Sequence, residues 1–219
     1  WDSYLEIEQP LQGHITVFPS VGNHEVDDGE AEAFYRIFHT PAEGSGDEAY
    51  YAFTWSNVRV IVIDDFLNVL PWYLCILMGK FHDGCLDLEQ LSWLVAELDA
   101  AAANPDIDHV FVFMHEGPYS SKPGRSGSQA IRDFLPMFAE SKVKVVFSGH
   151  DHYFEHGKTA NGLHYVVTGG GGAPLYQNEP EWWNLLLFPH EPILGKSVHN
   201  FQEVFVDGDY VLVTTYDVD

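Results

Sequence analysis

The chain has 219 residues, 46% hydrophobic and 15% aromatic, which is enough for one ordinary core and excludes wholesale disorder. Its 33 acidic residues against 10 basic ones give a formal charge of −23, which argues against nucleic acid and anionic membrane surfaces as partners. Two cysteines, Cys75 and Cys85, make neither a disulfide framework nor a zinc ribbon, and one bridge or two buried thiols both fit them.

In chain order, the sequence opens in helix-like residues at Trp1 and then gives a β-like run, HITVFPS, over 14–20. A helix is expected near Gly29 to Phe38. Apolar β-like runs follow at 49–55 and 58–64. The apolar stretch from Phe66 to Met78 contains Asn68 and Pro71 and is too short to span a bilayer. Leu88, Leu91, Leu94, Val95 and Leu98 repeat at helical spacing, so a helix is predicted from Asp87 to Ala103, ended by Asn104-Pro105. Runs at 109–115, 143–149 and 163–169 are continuous and rich in β-branched and aromatic residues, as in strands buried on both faces. A helix near Ser128 to Glu140 separates the first two. Runs at 201–207 and 210–217 flank Asp207-Gly208-Asp209, a hairpin turn. No linker or internal repeat divides the chain, so residues 1–219 read as one α/β domain of stacked sheets flanked by helices.

Three polar clusters end apolar runs: Gly22-Asn23-His24-Glu25, His115, and Gly149-His150-Asp151-His152. Strand ends gather at one sheet edge, where α/β proteins build ligand sites. Imidazole nitrogens and an amide oxygen suit a divalent metal. If the chain stays extended at 150–152, both imidazoles leave one face, a spacing that suits one ligand to each of two ions. Other motifs fall away. Leu194-Gly195-Lys196-Ser197 lacks the first glycine of a P-loop, and no G-x-S-x-G elbow occurs. Gly169 to Gly172 reads as a tight loop at a strand end, and Asp64-Asp65, which also ends a strand, as a solvated loop or as a pair touching the site. The apolar segments Asn68 to Asp83 and Trp182 to Pro192 read as packing elements or as a pocket rim.

The order of GNHE, then MHEGPYSS, then GHDH, with VTGGGGAPLY after it, resembles the metallophosphoesterase superfamily, the calcineurin-like phosphoesterases, and within it the purple acid phosphatase-like branch. The resemblance implies an α/β/β/α sandwich of two mixed sheets flanked by helices. It implies a metal-dependent hydrolase of phosphate esters with two ions of the Fe, Mn or Zn kind and a metal-bound hydroxide nucleophile. Asn23, His115 and His150 would ligate one metal and His152 the other, while His24 would sit near the leaving group. A phosphate ester is the implied partner.

The resemblance also has a gap. The family opens with D-x-H and then G-D, whose Asp bridges both metals, and neither precedes GNHE in this chain. The chain is therefore expected to be cut at both ends and to lack the first strands and three of about seven ligands. The competing expectation is a binding module of the same fold with at most one weakly held ion. A third is a mononuclear hydrolase that uses Asp64 in place of the bridge. The chain reads as soluble with its compartment open, extracellular or periplasmic placement both fitting, and its acidity fits either a solubility surface or adaptation to salt or acid.

Overall fold

A computed structural model describes residues 2–26, 31–41, 45–66, 69–71 and 84–218. Cys75 and nearly all of the segment from Asn68 to Asp83 lie outside the described residues, so the expectations placed on them lie outside as well.

A seven-stranded mixed sheet organises the molecule. Its strands are β1 (Tyr51–Trp55), β2 (Val58–Val62), β5 (His109–Met114), β6 (Val143–Ser148), β7 (Phe154–Thr159), β8 (His164–Thr168) and β9 (His190–Lys196). They lie side by side in the order β1-β2-β5-β6-β8-β7-β9. Strands β2, β5, β6 and β8 run parallel; β1 and β7 pair antiparallel with β2 and β8, and β9 pairs antiparallel with β7. The parallel strands are rich in apolar residues on both sides, interrupted at Arg59 and Lys144, because both of their faces are covered.

One face carries the larger core. Ile61, Val110, Val112, Val146, Tyr165 and Val167 pack there against helix α3 (Leu88–Ala103) and the short helices α4 (Gln129–Arg132) and α5 (Leu135–Glu140). The Asp87 carboxylate accepts the Gln90 N–H and caps α3 one residue before the helical repeat begins. The helix expected over Ser128 to Glu140 is two helices; Ser128 caps the first, and Pro136 lies in the opening turn of the second. The other sheet face buries Val58, Phe111, Val145, Phe147, Phe154 and Val166 under the hairpin β10 (Asn200–Asp207) and β11 (Tyr210–Asp217). Helices, seven-stranded sheet and hairpin thus form successive layers. The hairpin is an antiparallel two-stranded sheet. A small pair, β3 (Val69–Pro71) and β4 (Gly84–Leu86), completes the strands.

Two expectations change at the N-terminal side. Residues 14–20 join no sheet ladder among the described residues. They lie on the fold through side chains instead: Phe18 stacks on Phe53 at 4.1 Å, and the Tyr51 hydroxyl donates to the Pro19 carbonyl at 2.8 Å. The helix expected near Gly29 to Phe38 is α2 (Glu32–Ile37), six residues that bury Phe34; Gly29 and Glu30 lie outside the described residues. The remaining helices are α1 (Asp2–Gln12) and α6 (Trp182–Leu187).

Candidate active site

The C-terminal ends of β2, β5, β6 and β8 face one edge of the sheet. The Gly149 N–H donates to the His115 carbonyl at 2.9 Å, so the ladder between β5 and β6 continues into the two loops that carry the histidines. Across that edge lies the GNHE turn, closed by two hydrogen bonds. The Glu25 N–H donates to the Gly22 carbonyl at 3.2 Å, and the Gly22 N–H donates to Glu25 Oε2 at 2.9 Å. Glu25 therefore shapes the turn that presents Asn23. Gly22 is required by contact, because a Cβ there would lie 2.6–2.9 Å from the His115 ring.

Three donor atoms converge. Asn23 Oδ1 is 2.8 Å from His115 Nε2, His115 Nε2 is 3.1 Å from His150 Nδ1, and His150 Nδ1 is 3.2 Å from Asn23 Oδ1. Burial pushes the His115 imidazole down to about 4, with the neighbouring His150, His24 and His152 acting in the same direction. Burial lowers His150 too, aided by the charge of Arg125. Both rings are held neutral, the form with a free lone pair. Phe66 meets His115 edge-on at 5.3 Å and His150 in a tilted contact at 5.9 Å, and closes one side.

The segment 150–152 is not extended. The Asp151 N–H donates to the Gly149 carbonyl at 2.7 Å and the Tyr153 N–H to the Asp151 carbonyl at 2.8 Å, two successive three-residue turns. His150 sits in the left-handed region at φ 59°, costly for a residue with a Cβ and typical of sites where structure forces a side chain into place. The expected shared face is lost, and the two imidazoles go to different places. The His152 ring stacks on Tyr176 at 4.1 Å. Its Nδ1 lies 2.9 Å from the Pro174 carbonyl, which can only accept, so Nδ1 carries the proton and Nε2 keeps its lone pair.

His24 is exposed and lines the same cavity, about 390 Å³, as Asn23, His115, His150 and His152. Gly169 and Gly171 line it as well. A Cβ on Gly169 would meet the Asp151 carbonyl at 2.2 Å, and one on Gly170 would meet Asn200 and Val198 at 2.4 Å. Gly169 and Gly170 are thus closely packed at the strand end, whereas a Cβ on Gly171 or Gly172 would meet nothing within 4 Å.

Sequence reasoning missed the support of the site. Asp65 is not a solvated loop residue: its two carboxylate oxygens accept the N–H groups of His115 at 3.1 Å and Glu116 at 2.8 Å. Burial raises its carboxyl well above the usual range, against those two donors, which lower it. Asp64 turns into its own loop, where Oδ1 accepts the Phe66 N–H at 2.9 Å and its backbone pairs with the Gln90 amide. That placement speaks against Asp64 as a substitute metal bridge. Buried Asp151 accepts from Arg125 at 3.0 Å and from Tyr153 at 3.3 Å. The P-loop-like residues Leu194 to Lys196 are edge strand in β9.

The residues present fit a metal in part. Donors that neighbour each other around an ion at ~2.0–2.2 Å stand about 2.8–3.6 Å apart, and the Asn23, His115 and His150 atoms satisfy that spacing. Among the described residues, however, no group of three or more His, Cys, Asp and Glu side chains could hold an ion.

Residues 1–154 match the family model for calcineurin-like phosphoesterases. An uncharacterized protein of Mycobacterium tuberculosis is 32% identical, over 86% of this chain and 40% of its own length. Purple acid phosphatase 18 of Arabidopsis thaliana is 26% identical, over 83% of this chain and 43% of its own. The chain thus spans well under half the length of these relatives. A purple acid phosphatase from seeds of yellow lupin, Lupinus luteus, superimposes with a TM-score of 0.76 at 19% identity, covering 99% of this chain and 41% of that one. No helix among the described residues is long and apolar enough to cross a membrane. With its layered sheets and its residues gathered at the strand ends, the chain belongs to the calcineurin-like phosphoesterase family.

Proposed function

We propose that residues 1–219 form a single metallophosphoesterase domain that contributes to the metal-dependent hydrolysis of phosphate esters. The observation that carries this reading is the triangle of Asn23 Oδ1, His115 Nε2 and His150 Nδ1, with sides of 2.8, 3.1 and 3.2 Å. These three hold one ion in the proposal, and His152 offers Nε2 to a second. Fe, Mn and Zn all suit imidazole with amide oxygen. Ions held there would supply charge to polarise the phosphoryl oxygens and to lower the pKa of a water. Residues of this chain do the rest. Asp65 fixes the backbone of His115, Phe66 covers the rings, and the Pro174 carbonyl fixes the His152 tautomer. His24, on the cavity wall, gives a proton to the leaving oxygen as the P–O bond breaks.

Four residues cannot complete two coordination shells, so further donors belong to the reading. The test is elemental analysis after incubation with Mn, Fe and Zn, paired with hydrolysis of p-nitrophenyl phosphate and bis(p-nitrophenyl) phosphate. Bound metal that is lost in His150→Ala supports the reading, as does His24→Ala slowing turnover with metal content intact. Hydrolysis that survives His150→Ala unchanged refutes it. A binding module with one weak ion is the alternative, favoured by the lack of a His, Cys, Asp and Glu cluster among the described residues. Metal uptake without hydrolysis of either ester would select it.

A further inference from the structure

Arg125 lies in the loop between β5 and α4 and lines the same cavity as Asn23, His24, His115, His150 and His152. It is one of only 10 basic residues in a chain with 33 acidic ones. Its loop is fixed from several sides. The buried Asn184 amide donates to the carbonyls of Ser120 at 2.8 Å and Arg125 at 2.9 Å. Arg132 Nη1 donates to Pro118 and Ser126, each at 2.6 Å, and the Ser121 N–H donates to the Tyr153 hydroxyl at 2.8 Å.

The guanidinium is fixed too. Its Nη1 donates to Asp151 Oδ1 at 3.0 Å, and the Asp151 side chain is only 6% exposed. That pair leaves the other guanidinium donors without a hydrogen-bond partner among the described residues, on a side chain 35% exposed. A planar cation with spare N–H groups, pre-oriented by a buried carboxylate, suits tetrahedral oxyanions. Across the cavity wall, Lys122 Nζ lies 3.3 Å from the centroid of the Tyr176 ring, the ring on which His152 stacks, and adds positive charge. We propose that Arg125 is an oxyanion-binding residue of this cavity, taking a phosphoryl oxygen of the substrate through the N–H groups that Asp151 leaves free. Asp151 is then a positioning residue. The proposal rests on the phosphoesterase reading for its substrate, but not for its anion.

The experiment is calorimetric titration of inorganic phosphate into the chain, metal-free and after Zn loading. Wild type is compared with Arg125→Gln and Arg125→Lys. The lysine variant keeps a cation for Asp151 and so guards against a folding defect, but it loses the fork. We expect Kd for phosphate to rise at least about ten-fold in both variants. In a hydrolysing sample, KM should rise more than kcat falls. Phosphate affinity unchanged in both variants overturns the proposal, and so does wild type that binds no phosphate in either form. Arg125-dependent phosphate binding in a chain that takes up no metal would uphold it while the phosphoesterase reading fails. Hydrolysis with KM and phosphate affinity indifferent to Arg125 would do the reverse.

Discussion

Gly22→Ala tests how the GNHE turn is built. The added Cβ would meet Nδ1, Cε1 and Cγ of His115 at 2.6, 2.7 and 2.9 Å. Ordinary contact begins at 3.4 Å, so the ring must retreat by about 0.5–0.8 Å. His115 has little room, because Phe66 meets its edge and Asp65 holds its backbone N–H. Overpacking of this kind costs about 1–3 kcal/mol. The reduced freedom of the unfolded chain returns about 0.4–1 kcal/mol. A net loss of roughly 1–2 kcal/mol lowers Tm by about 2–8 °C in a domain of this size. The larger effect falls on the donor triangle, since moving His115 Nε2 opens both distances it makes. Zinc affinity should fall roughly 10–100-fold, as when a supporting residue of a metal site is lost. Thermal denaturation and competition with a chelating dye measure the two effects. Gly149→Ala is the control, because its Cβ would meet nothing closer than 3.9 Å, and it should leave both nearly unchanged. A Gly22→Ala protein with wild-type Tm and wild-type zinc affinity would refute the reasoning.

Tyr153→Phe leaves the buried Ser121 N–H without its 2.8 Å acceptor and Asp151 without a donor; thermal denaturation should show a loss of about 1–3 kcal/mol. Asn184→Ala frees two carbonyls of the Arg125 loop and should cost about 1–3 kcal/mol, with faster proteolysis at 117–128; unchanged cleavage there would argue against the clamp. His150→Gly removes a Cβ from φ 59°, so Tm should hold or rise while retained zinc falls; loss of Tm together with metal would make His150 structural. His156 and His164 pair at 2.7 Å between their ring nitrogens, and burial lowers both. The unfolded chain therefore binds more protons below its own value of 6.5, and stability should fall as pH drops from there. His164→Gln should flatten that acid limb, as read from Tm against pH.

The parallel strands were legible because burial on both faces leaves a continuous apolar run, and 58–64, 109–115, 143–149 and 163–169 match their strands within two residues. The strands β7 and β9 were not, for identifiable reasons. FEHGKT mixes buried Phe154 and Glu155 with Gly157, over which the Tyr165 ring packs, so its pairing is set by β8 rather than by its own pattern. HEPILGK carries Pro192, which an edge strand tolerates and a central strand does not. HITVFPS erred the other way, because an apolar run reports a buried face and not a ladder partner. At the site, Asn23, His115 and His150 announced themselves at strand ends. Asp65, Asn184 and Arg125 act through distant backbone groups or a buried carboxylate, and no local spacing reports such contacts.

The turn at 149–152 shows why residue type alone misled about direction. An extended segment would send residues 150 and 152 to one face and residue 151 to the other. Two tight turns instead give each of the three side chains its own destination. His150 goes to the Asn23 and His115 donors, Asp151 to Arg125 and Tyr153, and His152 to Tyr176 and the Pro174 carbonyl. The left-handed φ at His150 is the local cost of that arrangement. It is tolerated because each branch is tied to a different element. Release of one tie should therefore relax the turn and move the other two branches. On this view Asp151, which touches neither the donor triangle nor the His152 ring, couples the two imidazoles to the loop that carries Arg125.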